Sequence, residues 1–382
     1  MLPIYPLYAL LFADSGLSER EISGLFVLWS AVALVAEVPS GVLADRWSRR
    51  GALVAAGVVQ AVGYAIWALV PYLAGFAAGF VLWSLAGALV SGAFQALLYD
   101  GLAAEGARER YAVVLGRCEA AGLAVQVPVA GAAGALYAVG GYAAAAWVSA
   151  GVCLAAAGLA ATLPDRRAAG RPGGDGGEGA GYLSTARAGV AEVARSRAVR
   201  GALLASAAIY ALDGVEEYFG LLAAGWGVPE ALVPMSLLGV ALAGALGTAL
   251  AARASGLRAA GVAAMLAVAA AALWAAGLTA GPAGLAMLAL FYGLSRLAAV
   301  VADARLQALI RGRARATVTS VAGVATEIAG ILLYAVWALG GLWLAAAMVA
   351  AVALLAPRGL RDYTCVQHET RPAGRPGDAP RP

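Results

Sequence analysis

The sequence predicts an all-α polytopic membrane protein, built as two six-helix bundles with twelve transmembrane helices, the first of them shortened. Three observations predict it. Hydrophobic residues make up 62% of the 382 positions and charged residues 13%, too little polar surface for a soluble globule of this size. Apolar runs long enough to cross a bilayer recur along the whole chain. All 26 basic residues are arginine and they cluster in the short stretches between the runs, so they read as topological. The net charge of +4 is for that reason not a nucleic-acid signal, and no nucleic-acid partner is expected.

In order, the runs lie near 2–14, 22–44, 51–70, 72–99, 111–138, 142–163, 198–222, 231–252, 259–278, 282–304, 316–338 and 341–356. With both termini placed in the cytoplasm, Arg20 is the one arginine outside and Arg296 the one within a span. That asymmetry supports an even number of spans in this orientation. Met1 to Asp14 would rise only about 21 Å against a hydrocarbon core of about 30 Å. A missing N-terminal segment of roughly ten residues is the first explanation, and a thinned, tilted helix the second.

The chain divides by composition. Residues 1–163 form the expected N-terminal bundle and 201–356 the C-terminal one. Between them, 164–181 is rich in Gly, Pro and charge, and 182–200 carries apolar residues at helical spacing with Arg187, Arg195, Arg197 and Arg200 interleaved. This stretch, 164–200, reads as a cytoplasmic linker with an amphipathic helix. The polar, Pro-rich tail 357–382 reads as disordered. The three cysteines are Cys118, Cys153 and Cys365, two of them inside apolar runs, and His368 stands alone in the tail. Neither a disulfide framework nor a metal site is suggested. No signal peptide follows from the first run either, since no small-residue cleavage site comes after it.

A weak internal repeat joins the halves. Leu43-Ala44-Asp45-Arg46 after the second run is echoed by Leu250-Ala251-Ala252-Arg253 after the eighth, and the stretches around 104–117 and 307–315 correspond in place and basic character. Such repeats place a substrate cavity at the bundle interface near the bilayer midplane.

The stretch from Glu37 to Gly51 carries the sharpest motif. Gly41, Asp45, Arg46, Arg49 and Arg50 fall at the spacing G-x-x-x-D-R-x-x-R-R. Gly41 lets another helix approach closely, and Asp45 near the membrane face can accept hydrogen bonds from a helix N-terminus. Arg46, Arg49 and Arg50 hold the turn on the cytoplasmic side. The spacing resembles the signature loop between helices 2 and 3 of the major facilitator superfamily of secondary transporters, with Ser48 where that family usually has Gly. The run Ser91 to Asp100, SGAFQALLYD, resembles a pattern of a bacterial branch, with Gln95 where Glu is usual. Gly16-Leu17-Ser18 and Glu37 to Gly41 are similar to the same branch. Glu37, Tyr99 and Asp100 are read as a cytoplasmic latch network, because both span ends meet at that face. In the fifth run Gly122, Pro128, Gly131 and Gly134 loosely resemble a G-P-x-x-G-G motif of proton-driven exporters, with Val127 and Ala132 in place of two glycines. A Pro kink with small packing residues explains the same stretch.

Ionisable residues within spans point to mechanism, since each costs on the order of a few kcal/mol at the bilayer centre unless it has a partner or a wet cavity. They are Glu37, Glu119, Asp213, Glu216, Glu217, Arg296, Asp303 and Glu327. Asp213, Glu216 and Glu217 stand at i, i+3 and i+4, sharing an α-helical face with Tyr210. Three acids so close cannot all ionise cheaply, so one is expected to carry a proton; the alternative is that they lie solvated in an outer vestibule. Arg296, with Tyr292 one turn away, needs a carboxylate. Asp213 is the first choice, and Glu327 or an anionic substrate the alternatives. Glu119 and Glu327 occupy corresponding stretches of the fifth and eleventh runs, with structural and gating roles both open. Trp29, Trp83 and Tyr8 either line the cavity or sit as interfacial aromatics.

The expected function is therefore secondary transport in the cell membrane, by a multi-pass monomer whose partners are a small molecule, protons and the bilayer. Proton-coupled export (an antiporter) of small amphipathic compounds is the first reading, proton-coupled or facilitative import of a nutrient or metabolite the second, and a non-transporting sensor or scaffold a remote third. No enzyme is expected and no cofactor, because no nucleophile with its base, metal cluster or phosphate-binding loop is present in the sequence.

Overall fold

Local sequence sets the helix ends before any tertiary contact does. In the computed structural model, which describes residues 2–46, 48–164, 195–254, 256–310 and 315–360 without the side chains of 37–46, 92, 119 and 315–317, regular structure is helical throughout. The first run is helical only as α1 (Tyr8–Asp14), with turns from Pro3 to Leu7 before it. Pro3 and Pro6 lack the N–H that a helix interior needs. Ser18 and Glu21 then form a reciprocal capping pair at the start of α2 (Glu19–Arg46), the Ser18 N–H and hydroxyl both donating to Glu21 at 2.8 Å. These two bonds hold the Glu21 carboxyl below the ordinary glutamate value. Ser48 caps α3 (Arg49–Leu69) by accepting from the Gly51 N–H at 2.9 Å.

After α4 (Leu73–Ala104) and a 3₁₀ turn, α5 (Tyr111–Thr162) is two arms joined at Gly140–Gly141. Both of its ends return to one place. Tyr111 packs its ring on Tyr99 at 5.6 Å, next to the Asp100 carboxylate that Arg49 reaches, while Leu163 accepts from Arg50. The two arms are thus an antiparallel hairpin. Its second glycine, Gly141, has φ +62°, a conformation that a Cβ would strain.

The second half repeats the plan. Helix α6 (Arg197–Ala211) runs into a 3₁₀ segment (Leu212–Tyr218) and then α7 (Phe219–Gly225). Next come α8 (Val233–Ser236), α9 (Leu238–Ala254), α10 (Ala259–Thr279) and α11 (Gly281–Leu309). The last, α12 (Arg315–Leu360), is again a hairpin, turning at Gly340 and Gly341, the latter with φ +56°. Its ends also meet: Val318 is buried with Val199 and Leu203, and Gly359 lies against Gly201. Among the described residues eight helices are long and apolar enough to cross a membrane. Two of them are hairpins that cross twice, and with α1 and α2 the arrangement is consistent with twelve crossings. The expected linker and tail, 165–194 and 361–382, lie outside the described residues.

With no hydrophobic force between helices in lipid, packing must come from close contact. Small residues supply it. A Cβ on Gly247 of α9 would sit 2.0 Å from the Gly293 carbonyl oxygen of α11, and one on Gly57 of α3 2.8 Å from that of Cys153 in α5. Rings fill the first half: Phe12, Trp67, Phe76 and Phe80 are fully buried, with Phe12 and Phe76 centroids 4.3 Å apart and Phe80 stacked on Trp83 at 5.7 Å. Aromatic pairs of this kind contribute about 0.5–1.5 kcal/mol each beyond area burial.

Candidate functional site

The three acids of the seventh run do not share one α-helical face, because Leu212–Tyr218 is wound as a 3₁₀ helix. At three residues per turn, i and i+3 eclipse and i+4 falls a third of a turn away. Asp213 and Glu216 accordingly point together toward α11, and Glu217 points elsewhere. Asp213 accepts from the Arg296 guanidinium at 2.9 Å, and Glu216 accepts from the Tyr292 hydroxyl. Glu217 instead accepts from the Tyr8 hydroxyl of α1, in the other half of the molecule. Gly214 lets α12 press on this segment: a Cβ there would come within 3.0–3.1 Å of Leu333 and the Tyr334 ring. The second oxygen of Asp213, Oδ1, is buried without a hydrogen-bond partner.

Tyr8, Glu216, Glu217 and Tyr292 border a cavity of about 350 Å³ between the halves. The first half contributes Tyr5, Tyr8 and Ala9 near α1 and Gln126 and Ala130 from α5. The second contributes Glu216, Glu217, Phe219, Tyr292 and the start of α9, including Leu238 and Ala241. Polar atoms sit on an otherwise apolar wall, as a small-molecule site requires. Asp213 and Arg296 are not among the lining residues.

One end of the interface is tightly joined. Tyr218 hydrogen-bonds Ser23 at 2.8 Å and stacks on Trp337 at 3.9 Å, and the Trp337 indole N–H donates to Glu19 at 3.2 Å. Phe26 packs on Tyr334 at 5.3 Å, and a Cβ on Gly134 of α5 would lie 2.2 Å from the Ala231 carbonyl oxygen. At the arginine-rich end the contacts described run within each half. Arg49 binds Asp100 and, at 3.2 Å, the Ala96 carbonyl; buried Arg305 binds the Leu257 carbonyl. Residues 120–125 of α5 are exposed on every side of the helix, whereas Ala130 and Ala133, farther toward the joined end, are buried.

The remaining sequence-predicted residues fall in three groups. Asp100 meets Arg49, which ties the basic loop to the predicted latch; Tyr99 turns instead to Tyr111 and to the Arg108 guanidinium, 5.8 Å from its ring. Arg50 reaches the Leu163 carbonyl at 3.4 Å. The side chains of Glu37, Gly41, Asp45, Arg46 and Glu119 lie outside the described residues. Glu327 is half-buried in α12, and the partner of Arg296 in the structure is Asp213 rather than Glu327. In the Gly-Pro stretch Pro128 lies inside α5, Gly134 meets Ala231, and Gly131 faces Met235 at 4.0 Å. Trp29 and Trp83 join the aromatic cluster and do not line the cavity; Tyr8 does both. Sequence reasoning missed Tyr5 and Gln126. A scan for uncharged polar residues within apolar runs, beside the scan for charges, would have found Gln126.

Comparisons with known proteins agree with this architecture. A search of curated protein sequences finds no match. Among solved structures the chain is similar to the nucleoside transporter NupG, at 13% identity with a TM-score of 0.68, covering 95% of this chain and 94% of that one. It is similar to a D-xylose–proton symporter at 16% identity and a TM-score of 0.64, covering 94% of each chain. A bacterial homolog of the human lysosomal transporter Spinster, crystallised inward-facing and unoccupied, matches at 16% identity and a TM-score of 0.64, covering 95% of this chain and 89% of that one. At such identities these likenesses speak for the fold. The family itself is shown by the model of the Major Facilitator Superfamily, which matches residues 2–334, and the chain belongs to that superfamily.

Proposed function

We propose that the protein is a proton-coupled secondary transporter that exports small amphipathic molecules across the cell membrane by alternating access, working as a monomer with its arginine-rich end in the cytoplasm. The observation that carries the reading is the contact between Glu217 and Tyr8. It spans the two halves inside a cavity that both halves line, so it sits where they must part. An ionised carboxylate accepts a hydrogen bond roughly twice as strongly as a neutral acceptor. Proton arrival at Glu217 therefore loosens the joined end, and proton loss restores it. Glu216, held by Tyr292 within the second half, offers a second acceptor one residue away. Arg296 stays charged, since a guanidinium does not readily lose its proton, and Asp213 neutralises it.

The export reading leans on the Gly-Pro stretch of α5, whose Gly134 lies at the interface. Import is a second reading on the same site, supported by the likeness to a D-xylose–proton symporter. Purified protein in vesicles loaded with a pH-sensitive dye separates them. Export by exchange moves protons against the direction of an added amphipathic dye, and import moves the two together. In either case Glu217→Gln is expected to abolish substrate-driven proton movement while substrate exchange at equal pH persists. Undiminished proton movement in that variant removes Glu217 from coupling. Absence of any transport across a broad panel of compounds returns the sensor or scaffold reading.

A further inference from the structure

We propose that the groove between α6 and the second arm of α12 binds one anionic phospholipid from the leaflet on the arginine-rich side. The groove encloses about 430 Å³ and is lined by Leu204, Ala208, Met348, Val352 and Leu355. It ends where the helices cross most closely, at Gly201 and Gly359, where a Cβ on Gly359 would lie 2.2 Å from the Gly201 carbonyl oxygen. The chain neighbours of the two crossing glycines are Arg200 and Arg358, both exposed, with exposed Arg197 one turn farther along α6. Arg358 donates to the Leu354 carbonyl of its own helix at 2.7 Å. The N-terminus of α6, capped by Ser196, adds partial positive charge in the same place.

Dimensions and charge both select a lipid. From Gly201 to Ala208 the wall rises about 10 Å, and from Gly359 to Met348 about 16 Å. Those lengths match the acyl region of a single leaflet, about 15 Å. A phosphodiester headgroup meets the arginines while one acyl chain lies in the groove, and a zwitterionic lipid lacks the net charge. A free phosphate has no use for the apolar wall. A second copy of the chain packed face to face would set these arginines against their equivalents. The bound lipid grips the start of the helix that leads directly into Asp213, Glu216 and Glu217.

The test is native mass spectrometry of the full chain released from detergent, with phosphatidylglycerol and phosphatidylcholine of identical acyl chains as probes. The parent protein is expected to retain one phosphatidylglycerol about tenfold better than phosphatidylcholine. The double variant Arg200→Gln/Arg358→Gln should retain both equally. Ala351→Phe fills an exposed part of the groove wall and leaves the arginines in place; it should lower retention of both lipids with an unchanged melting temperature in detergent. Equal retention by the parent overturns the proposal, as does a preference that survives the double Gln change. Displacement of the lipid by millimolar inorganic phosphate, or a dimer that Ala351→Phe dissolves, assigns the groove to another occupant and overturns it equally.

Discussion

The two ends of this molecule are fastened by different chemistry. At the end away from the arginines, rings and neutral hydroxyls cross from one half to the other: Phe26 on Tyr218 and on Tyr334, Ser23 to Tyr218. At the arginine-rich end, charges tie each half to itself, through Arg49 to Asp100 and Arg305 to Leu257. Ring contacts of this kind can part and close again without finding a counter-ion. Ion pairs inside a half keep that half rigid while the gap between halves changes width. The difference teaches that movement is expected between the halves, about the cavity, and not within either one. The joined end is then the one that must open for the opposite face of the membrane to be served.

The strongest way to break that comparison is to wedge the joined end. Gly134→Leu places side-chain atoms where the Ala231 carbonyl oxygen is 2.2 Å from a Cβ position. Overpacking of this kind costs about 1–3 kcal/mol, enough to move a two-state balance by about fivefold or more. A Ser23→Cys probe in this variant is expected to react with a membrane-impermeant maleimide from that side at least several times faster than in the parent background. Unchanged labelling would mean that the contact at Gly134 does not hold the end shut.

A smaller effect is expected at the other end. The Arg49–Asp100 pair is partly exposed, with a quarter and a fifth of the two side chains accessible. A double-mutant cycle with Arg49→Gln and Asp100→Asn, read by thermal unfolding in detergent, should give a coupling of about 1 kcal/mol or less. Transport should slow in the single variants without loss of membrane yield. Zero coupling would sever the basic loop from the fourth run.

The smallest effect concerns the turn into α2, beside the Glu19 that holds Trp337. Hydrogen bonds from Ser18 keep the Glu21 carboxyl below its ordinary value. A group lowered in the folded state contributes stability that is present above its unfolded value and is lost as pH falls through the folded one. Ser18→Ala should therefore lower the melting temperature slightly at neutral pH, and the deficit should close in acid. A deficit that grows in acid contradicts the capping account.

Much of this was readable without coordinates, for reasons that lie in the bilayer. A membrane forces long apolar runs and sorts arginines by side, so a polytopic helical fold could be written down from the runs, and the superfamily from the motif between Glu37 and Gly51. Charge inside a span is expensive enough that Asp213, Glu216, Glu217 and Arg296 stood out, and the preferred pairing of Arg296 with Asp213 needed only one missing counter-charge. What could not be read was which acid faces which half. That depends on the 3₁₀ winding of Leu212–Tyr218, and nothing in the string Asp-Gly-Val-Glu-Glu announces three residues per turn. The aromatic cluster around Phe80 was hidden for a similar reason: Tyr8, Trp67 and Trp83 come from different helices, and only tertiary packing brings them together.

The glycine pairs at 140–141 and 340–341 also matter while the protein is being made. A reversal of two residues leaves no hydrophilic loop to be dragged through the hydrocarbon, so in the proposed orientation the translocation machinery has nothing charged to carry across at these two places. The turn between α1 and α2 is different: in the orientation proposed above, with the arginine-rich end cytoplasmic, Asp14, Glu19, Arg20 and Glu21 must all pass. Each glycine-turned pair can thus slip into the bilayer as one folded unit, its backbone groups satisfied within its own helices. In that orientation the demanding passage in biogenesis is the first one, at Arg20.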